Sequence, residues 1–199
     1  MTNSNSRYFT DEGIVLAAKN TGEADKILTI FTKNFGKLEV LAKNVKKLNS
    51  KRASASQVLS HSKFAIARSK VTTLAEAVVS NQFLKIKSNL TKLALAWQAL
   101  EVLNLLVPTE VAYHEIFEDL LSFLKKLEKT SNFHEAKIKL AAFEIKLLIK
   151  TGWLGEDFKV KSFSNFSALE KFLTSKFEAI SQRRLKSYQF AKMVVGGSP

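Results

Sequence analysis

The spacing of the apolar residues changes once along this chain of 199 residues, near Phe83. Before that point, short runs of β-branched, aromatic and aliphatic residues alternate with turn signals, which is typical of strands. After it, apolar residues recur every three or four positions, which is typical of amphipathic helices. The sequence therefore predicts an α+β protein, with a β-domain at residues 1–82 and an all-helical domain at residues 83–199.

Five short runs in the first domain have the composition of β-strands. The turn signals Asn20-Thr-Gly22 and Asn34-Phe-Gly36 separate the first three of them. Five short strands in a small domain predict a five-stranded OB-fold barrel, and an SH3-like barrel is the alternative at this stage. The predicted strands lie at residues 13–18, 26–32, 38–42, 63–67 and 71–79.

The second domain contains four stretches with helical periodicity. Ser88 is the predicted N-cap of the first helix, which ends before Pro108, and a second helix is predicted near residues 111–127. A capping box of Asn132 and Glu135 starts the third helix, and Ser167 starts the fourth after a shortened crossover at residues 153–166. The predicted core positions are Leu90, Leu93, Trp97, Leu100, Leu103 and Val107 on the first; Ile116, Phe117, Leu120, Leu121 and Leu124 on the second; Ile138, Ala141, Ala142, Ile145, Leu148 and Ile149 on the third; and Leu169, Phe172, Leu173, Phe177 and Ile180 on the fourth.

The net charge of +13 is unevenly distributed along the chain. Residues 1–80 carry thirteen basic and six acidic side chains, whereas residues 81–150 carry ten and eight. Between Gly36 and Lys70 there are nine Lys or Arg residues and one acid, Glu39. Concentrated positive charge on a small β-domain is typical of a surface that binds a phosphate backbone, and a basic surface kept for solubility is the alternative.

The middle of this basic stretch predicts a flexible loop between two strands. Few aromatic residues accompany it: Phe64 is expected in the core, and Phe31 and Phe35 could pack inward or face a base. Because charge outnumbers stacking platforms, we expect sequence-tolerant contacts to the DNA backbone. The expected contacts are Lys43, Lys46, Lys47, Lys51 and Arg52, with Lys63, Arg68 and Lys70 as a rim and Arg183, Arg184 and Lys186 as a secondary basic patch.

The sequence shows no arrangement of residues typical of an enzyme. The chain has no cysteine, which excludes disulfides and thiolate metal sites, and its glycines form no phosphate-binding loop. His61, His114 and His134 lack ligand spacing and are expected at the surface or at helix ends. We therefore expect no catalytic residue, metal or cofactor. A buried pair of carboxylates with shifted pKa values in a cleft would favour an enzyme instead.

The N-terminal residues show neither the apolar core of a signal peptide nor a membrane span, which predicts a cytoplasmic protein.

Five collinear motifs in the first domain resemble the RecO family of bacterial recombination mediators. They are Gly13-Ile-Val-Leu16, Gly22-Glu-Ala-Asp25, Leu28-Thr29 with Phe31-Thr32, Gly36-Lys37 and Ala42-Lys43. The resemblance continues more faintly at Thr151-Gly-Trp153 and at Leu185-Lys-Ser with Phe190. It implies an OB fold, a helical C-terminal domain and a place at the nucleoid. It also implies binding of single- and double-stranded DNA, annealing of complementary strands, and loading of RecA with RecR. The DNA strands onto which RecA is loaded are coated by single-strand-binding protein. The acidic C-terminal tail of that protein is a further partner that the resemblance implies.

Two features depart from that family. Many members carry a four-cysteine zinc module, whereas this chain has no cysteine. Asn44 stands where the family commonly has glycine, and Gln57-Val-Leu59 where it commonly has Gln-Pro-Phe, so the loop could follow another path. A general RNA- or tRNA-binding OB module and a protein-interaction scaffold are the alternatives.

Overall fold

The computed structural model describes residues 8–195, which form two compact units. Residues 8–83 and 108–117 make up one unit, and residues 84–107 and 118–195 make up the other. The segment 108–117 therefore groups with the strands, although it follows them in the chain. The assignment of residues 1–82 and 83–199 to two domains remains our proposal.

The first unit is a closed five-stranded barrel with the strand order β1-β2-β3-β5-β4. All neighbouring strands are antiparallel except β3 and β5, which meet in a parallel contact between Leu41 and Thr73. This arrangement confirms the predicted OB-fold barrel and all five predicted strands. Their bounds are β1 Tyr8–Thr21, β2 Asp25–Thr32, β3 Gly36–Ala42, β4 His61–Ala67 and β5 Thr73–Asn81.

Strand β1 is longer than predicted because it belongs to two ladders. Residues 8–14 pair with β4, and residues 13–21 pair with β2. The register shifts between Val15 and Ala17, and such a bulge lets one strand bend from one partner to the next. Inward-facing side chains of all five strands fill the barrel, and Phe64 is fully buried among them, as predicted.

Within residues 8–195, six α-helices follow the barrel strands. They are α1 Leu84–Lys87, α2 Leu90–Leu106, α3 His114–Lys129, α4 Phe133–Lys150, α5 Phe166–Ser181 and α6 Lys186–Val195. The four predicted helices correspond to α2–α5, whereas α1 and α6 were not predicted. The crossover at residues 153–166 contains one short 3-10 turn at Val160–Ser162.

Asparagine side chains cap three of these helices. Asn132 accepts a hydrogen bond from the Glu135 amide at 3.2 Å, which confirms that prediction. The predicted caps Ser88 and Ser167 are wrong, because Asn89 caps α2 and Asn165 caps α5. In both helices the asparagine Oδ1 accepts a hydrogen bond from the amide three residues ahead at 2.9 Å. Ser88 lies one residue before its cap, and Ser167 is already the second residue of α5.

The inward faces of α2 and α4 differ from the predicted stripes. On α2, Leu90 and Trp97 are partly exposed, whereas buried residues surround most of the helix from Ala94 to Leu106. On α4, Ile138 is exposed and Phe143 is buried. Helices that carry apolar residues around most of their circumference give no single period to follow. On α3 every predicted core position is buried, and on α5 Leu169, Leu173 and Phe177 are buried.

None of the helices in residues 8–195 combines the length and the apolar character that a membrane span needs.

Gly36 offers a direct test of the contact between β3 and segment 108–117. Its φ is +70°, and a Cβ atom there would lie 2.0 Å from the Val111 carbonyl oxygen. Gly22 has a similar φ of +59° but no atom within 4 Å of such a Cβ, so it is a matched control. We expect Gly22→Ala to cost about 1 kcal/mol of unfolding free energy. Gly36→Ala should cost roughly 2 kcal/mol more, because the Val111 backbone must move.

Urea unfolding followed by circular dichroism measures both variants. Equal losses of stability would contradict the packing of Val111 against Gly36.

Candidate nucleic-acid interface

The basic loop, residues 43–60, connects β3 to β4 and is anchored at its start. The Asn44 amide donates to Asp25 Oδ1 at 2.7 Å, and the Lys46 amide donates to the Ala24 carbonyl at 3.0 Å. These bonds hold the loop against the turn between β1 and β2. Val45, Ala55 and Leu59 of the loop are buried. The prediction of a flexible loop is therefore wrong for its backbone.

The end of the loop is anchored on β1. The Leu59 amide donates to the Val15 carbonyl at 2.9 Å, and the Val15 amide donates to the Ser60 carbonyl at 3.0 Å. These two bonds tie the loop to the bulge of β1. The loop is thus fixed to the barrel at both ends.

Asn44 has a φ of +57°, which lies in the left-handed region. Glycine adopts this conformation freely, and asparagine tolerates it better than most other residues. The asparagine is therefore compatible with the backbone path that a glycine would take at this position.

Four lysines of the basic loop project into solvent. Within the described residues, the structure records no ion pair and no hydrogen bond for their ammonium groups. Their positive charge is therefore not compensated by a neighbouring carboxylate. We name Lys43, Lys46, Lys47 and Lys51 the loop lysines.

Arg52 is placed differently from the loop lysines. Its Nη1 donates to the carbonyls of Leu74 at 2.6 Å and Ala75 at 3.2 Å, and its Nη2 donates to the Lys43 carbonyl at 3.0 Å. The planar guanidinium thus joins the first residue of the loop to β5. Arg52 adds positive charge to this end of the barrel, but its donors are engaged in holding the backbone.

The predicted rim residues do not share one environment. Lys63 is exposed on β4, opposite Glu12 in the strand register of β1 and β4. Lys70 is exposed in the connection from β4 to β5. Arg68 lies 3.4 Å from a Glu110 carboxylate oxygen, so its charge is compensated.

Arg68 also covers a pair of aromatic rings. Its guanidinium carbon is 5.3 Å from the Phe9 ring centroid and 5.8 Å from that of Phe35. Phe35 packs on Phe9, and Phe31 is fully buried. Neither phenylalanine that sequence reasoning considered is an open stacking platform.

Tyr8 was not among the residues considered from sequence, and the predicted placement of His61 at the surface or at a helix end is wrong. Tyr8 is 68% exposed on the outer face of β1, and the alternation along this strand could have identified it as an aromatic residue at the barrel surface. His61 is buried, not at the surface, because its ring packs near the buried Phe117 ring at a centroid distance of 6.3 Å. Its Nε2 lies 2.8 Å from Glu12 Oε1. His114 and His134 lie in the first turns of α3 and α4, as expected.

The secondary basic patch, Arg183, Arg184 and Lys186, lies where α5 ends and α6 begins, and all three residues are exposed. A carboxylate from α2 caps the start of α6 beside them. Glu101 accepts hydrogen bonds from the amides of Lys186 at 3.2 Å and Ser187 at 2.8 Å. The patch is therefore fixed to α2 through the helix that follows it.

One buried carboxyl in the helical unit bears on the enzyme alternative. Glu144 is 2% exposed, and burial raises its pKa to about 7. The nearby Glu170 is paired with Lys137 at 2.6 Å. Among residues 8–195, no group of three or more His, Asp or Glu side chains could hold a metal ion. Glu170 is only partly buried, so the two carboxyls do not form the buried pair that would favour an enzyme.

Comparison with known proteins gives the same family for both units. The family model for the N-terminal part of recombination protein O matches residues 6–83, and the model for its C-terminal part matches residues 87–156. A DNA repair protein RecO from Dehalococcoides mccartyi strain BAV1 is 32% identical over 149 residues, which are 74% of this chain and 58% of that protein. One from Acetivibrio thermocellus is 31% identical over 147 residues, 73% of this chain and 58% of that protein. The chain thus matches little more than half the length of these relatives.

Arg52 should contribute to stability in a way that the loop lysines do not. Arg52→Ala removes three hydrogen bonds to carbonyls, so we expect it to lower the unfolding free energy by about 1–3 kcal/mol. Arg52→Lys keeps the charge but lacks the fork, and should recover less than half of that loss. Lys47→Ala is the control and should stay within about 0.5 kcal/mol of the parent.

Denaturant titration of the three variants measures these differences. Full recovery of stability by Arg52→Lys would show that charge alone matters at this position.

Proposed function

Because the chain belongs to the RecO family of DNA repair proteins, we propose that it is a non-enzymatic mediator of DNA repair and recombination. In this proposal the barrel binds single- and double-stranded DNA and anneals complementary strands. The observation that carries it is the set of four uncompensated loop lysines on an anchored backbone.

The position of the loop lysines supports a contact with nucleic acid. The basic loop touches the turn between β1 and β2 through Ala24, and Arg52 ties it to the start of β5. OB folds commonly bind oligonucleotides with the loop that joins β1 to β2 and the loop that joins β4 to β5. Exposed ammonium groups at that end of the barrel can neutralise phosphates, and such contacts do not depend on the base sequence.

Contact with the backbone suits strand annealing. Two complementary strands repel each other through their phosphates, and ammonium groups that neutralise both backbones lower this repulsion. The bases stay free to pair, because no open aromatic platform lies within the loop to stack on them. Arg52 keeps the loop in one arrangement, so little conformational entropy is lost when DNA binds.

We further propose that the helical unit binds partner proteins. Arg183, Arg184 and Lys186 form a patch that is complementary to the acidic C-terminal tail of single-strand-binding protein. RecR would act with this chain to load RecA onto the exposed strand, in the cytoplasm at the nucleoid. RecR and RecA are proposed as partners from the family alone.

Salt dependence should identify the loop lysines as phosphate contacts. If all four neutralise phosphates, they contribute a slope of about −2.8 for single strands and about −3.6 for duplex DNA to log affinity against log salt. Replacing all four with alanine should remove that part of the slope. Lys125, Lys126, Lys129 and Lys161 are four exposed lysines of the helical unit, and their replacement is the matched control for net charge.

Fluorescence anisotropy of labelled oligonucleotides between 50 and 200 mM salt measures the slope. An unchanged slope in the loop variant would refute the proposed contact. Preference for an RNA competitor over single-stranded DNA would favour the RNA-binding alternative.

Annealing assays should separate the two basic surfaces. The variant with all four loop lysines replaced by alanine should no longer accelerate annealing, on naked or on protein-coated DNA strands. It lacks the ammonium groups that neutralise the phosphate backbones. The triple variant Arg183→Ala, Arg184→Ala, Lys186→Ala should keep annealing of naked strands and lose it on strands coated by single-strand-binding protein. Energy transfer between dyes on complementary strands gives both rates. Equal loss on naked strands in the two variants would contradict this division of roles.

A further inference from the structure

The helical unit contains a cavity of about 560 Å³ between α2, α4, α5 and α6. Sites for small molecules usually have volumes of about 300–1,000 Å³, apolar walls and a few polar groups. Leu95, Leu140 and Leu173 form part of its apolar wall. The cavity also contains the buried carboxyl of Glu144, for which the described residues provide no basic partner. Nothing in the proposed DNA contact uses this space.

The carboxyl of Glu144 is only partly satisfied by its neighbours. Its Oε1 accepts hydrogen bonds from Gln98 Nε2 at 2.8 Å and from the Tyr188 hydroxyl at 3.3 Å. Within the described part of the chain, no donor is recorded on Oε2. Buried carboxylates are rare unless a cation pairs with them. Glu144 therefore has room for one strong donor that the described residues do not supply.

One of the two lysines that line the cavity is already paired with a carboxylate. Lys137 is paired with Glu170 at 2.6 Å. Its ammonium group also lies 5.7 Å from the Phe133 ring centroid and 5.5 Å from that of Phe166. The Lys137 ammonium group is thus bound by a carboxylate and two aromatic rings of the helical unit.

We propose that the cavity binds a small apolar molecule that carries a protonated amine, with the ammonium group on Glu144 and the apolar body against the leucine wall. Charge complementarity selects this class of ligand. Three carboxyls line the cavity against two amines, in a chain whose net charge is +13. An anionic ligand would be repelled by the Glu144 carboxylate, and a purely apolar one would leave Oε2 without a donor.

Proton binding should tune the affinity for the amine. Burial, with a smaller contribution from the neighbouring Glu170, raises the pKa of Glu144 to about 7. The ammonium ligand needs the ionised carboxyl, so its affinity should rise as the pH increases from 6 to 8. The other ionisable groups lining the cavity are Lys137 on α4, Glu170, Lys171 and Glu178 on α5, and Tyr188 on α6.

The test uses the whole chain and three probes of similar shape. They are 2-phenylethylamine, the neutral 2-phenylethanol and the anionic 3-phenylpropanoate, titrated into ¹⁵N-labelled protein and followed by NMR. We expect the amine to bind about tenfold more tightly than the alcohol and the carboxylate not to bind. Shifted signals should come from α2, α4, α5 and α6. Affinity for the amine should increase roughly tenfold from pH 6 to pH 8.

Two variants locate the site. Glu144→Gln keeps the shape but removes the charge, so amine affinity should fall about tenfold and lose its pH dependence. Glu156→Gln, an exposed change of the same charge, is the control. Ala141→Phe fills the cavity from α4 and should abolish binding of the amine while the carboxyl remains.

Equal affinity for the amine and the alcohol would overturn the proposal, and so would amine binding that survives Ala141→Phe. If circular dichroism shows that Glu144→Gln does not fold, the pH profile of the parent protein and the Ala141→Phe variant decide the question.

Discussion

The double pairing of β1 is the constraint on which the barrel and its basic loop depend. One strand of 14 residues closes the barrel by pairing with β2 along one half and with β4 along the other. The bulge at Val15 that permits this bend also bonds to the end of the basic loop. The strand that closes the fold therefore also determines where the loop returns to the barrel.

The basic loop separates the roles of its positive residues. Arg52 uses its planar fork to hold three carbonyl groups, a geometry that lysine cannot reproduce. The loop lysines keep flexible stems and free ammonium groups on a backbone that is already ordered. A surface of this kind can follow an irregular row of phosphates with its side chains while its backbone stays in place.

Local sequence was enough to predict the strands and most helices, because period and turn residues are local signals. It could not predict the anchored loop, since Asp25 and Val15, which hold it, lie far away in the chain. It also placed Arg52 among the phosphate contacts, because nothing local indicates that its donors face the carbonyls of β5. The buried His61 and the cavity around Glu144 are likewise products of tertiary packing. The faces of α2 and α4 were mispredicted because apolar residues surround most of each helix.

The capping of α6 by Glu101 has a consequence for how the protein matures. An isolated helix of 10 residues is marginal in water, and this one takes the cap for its first amides from a residue 85 positions earlier in the chain. During synthesis α2 emerges long before α6. Until α6 forms, the Glu101 carboxylate therefore lacks the hydrogen bonds from the amides of Lys186 and Ser187. Helix α6 then docks on a surface already made, and the cavity beside it is completed only when α6 has docked.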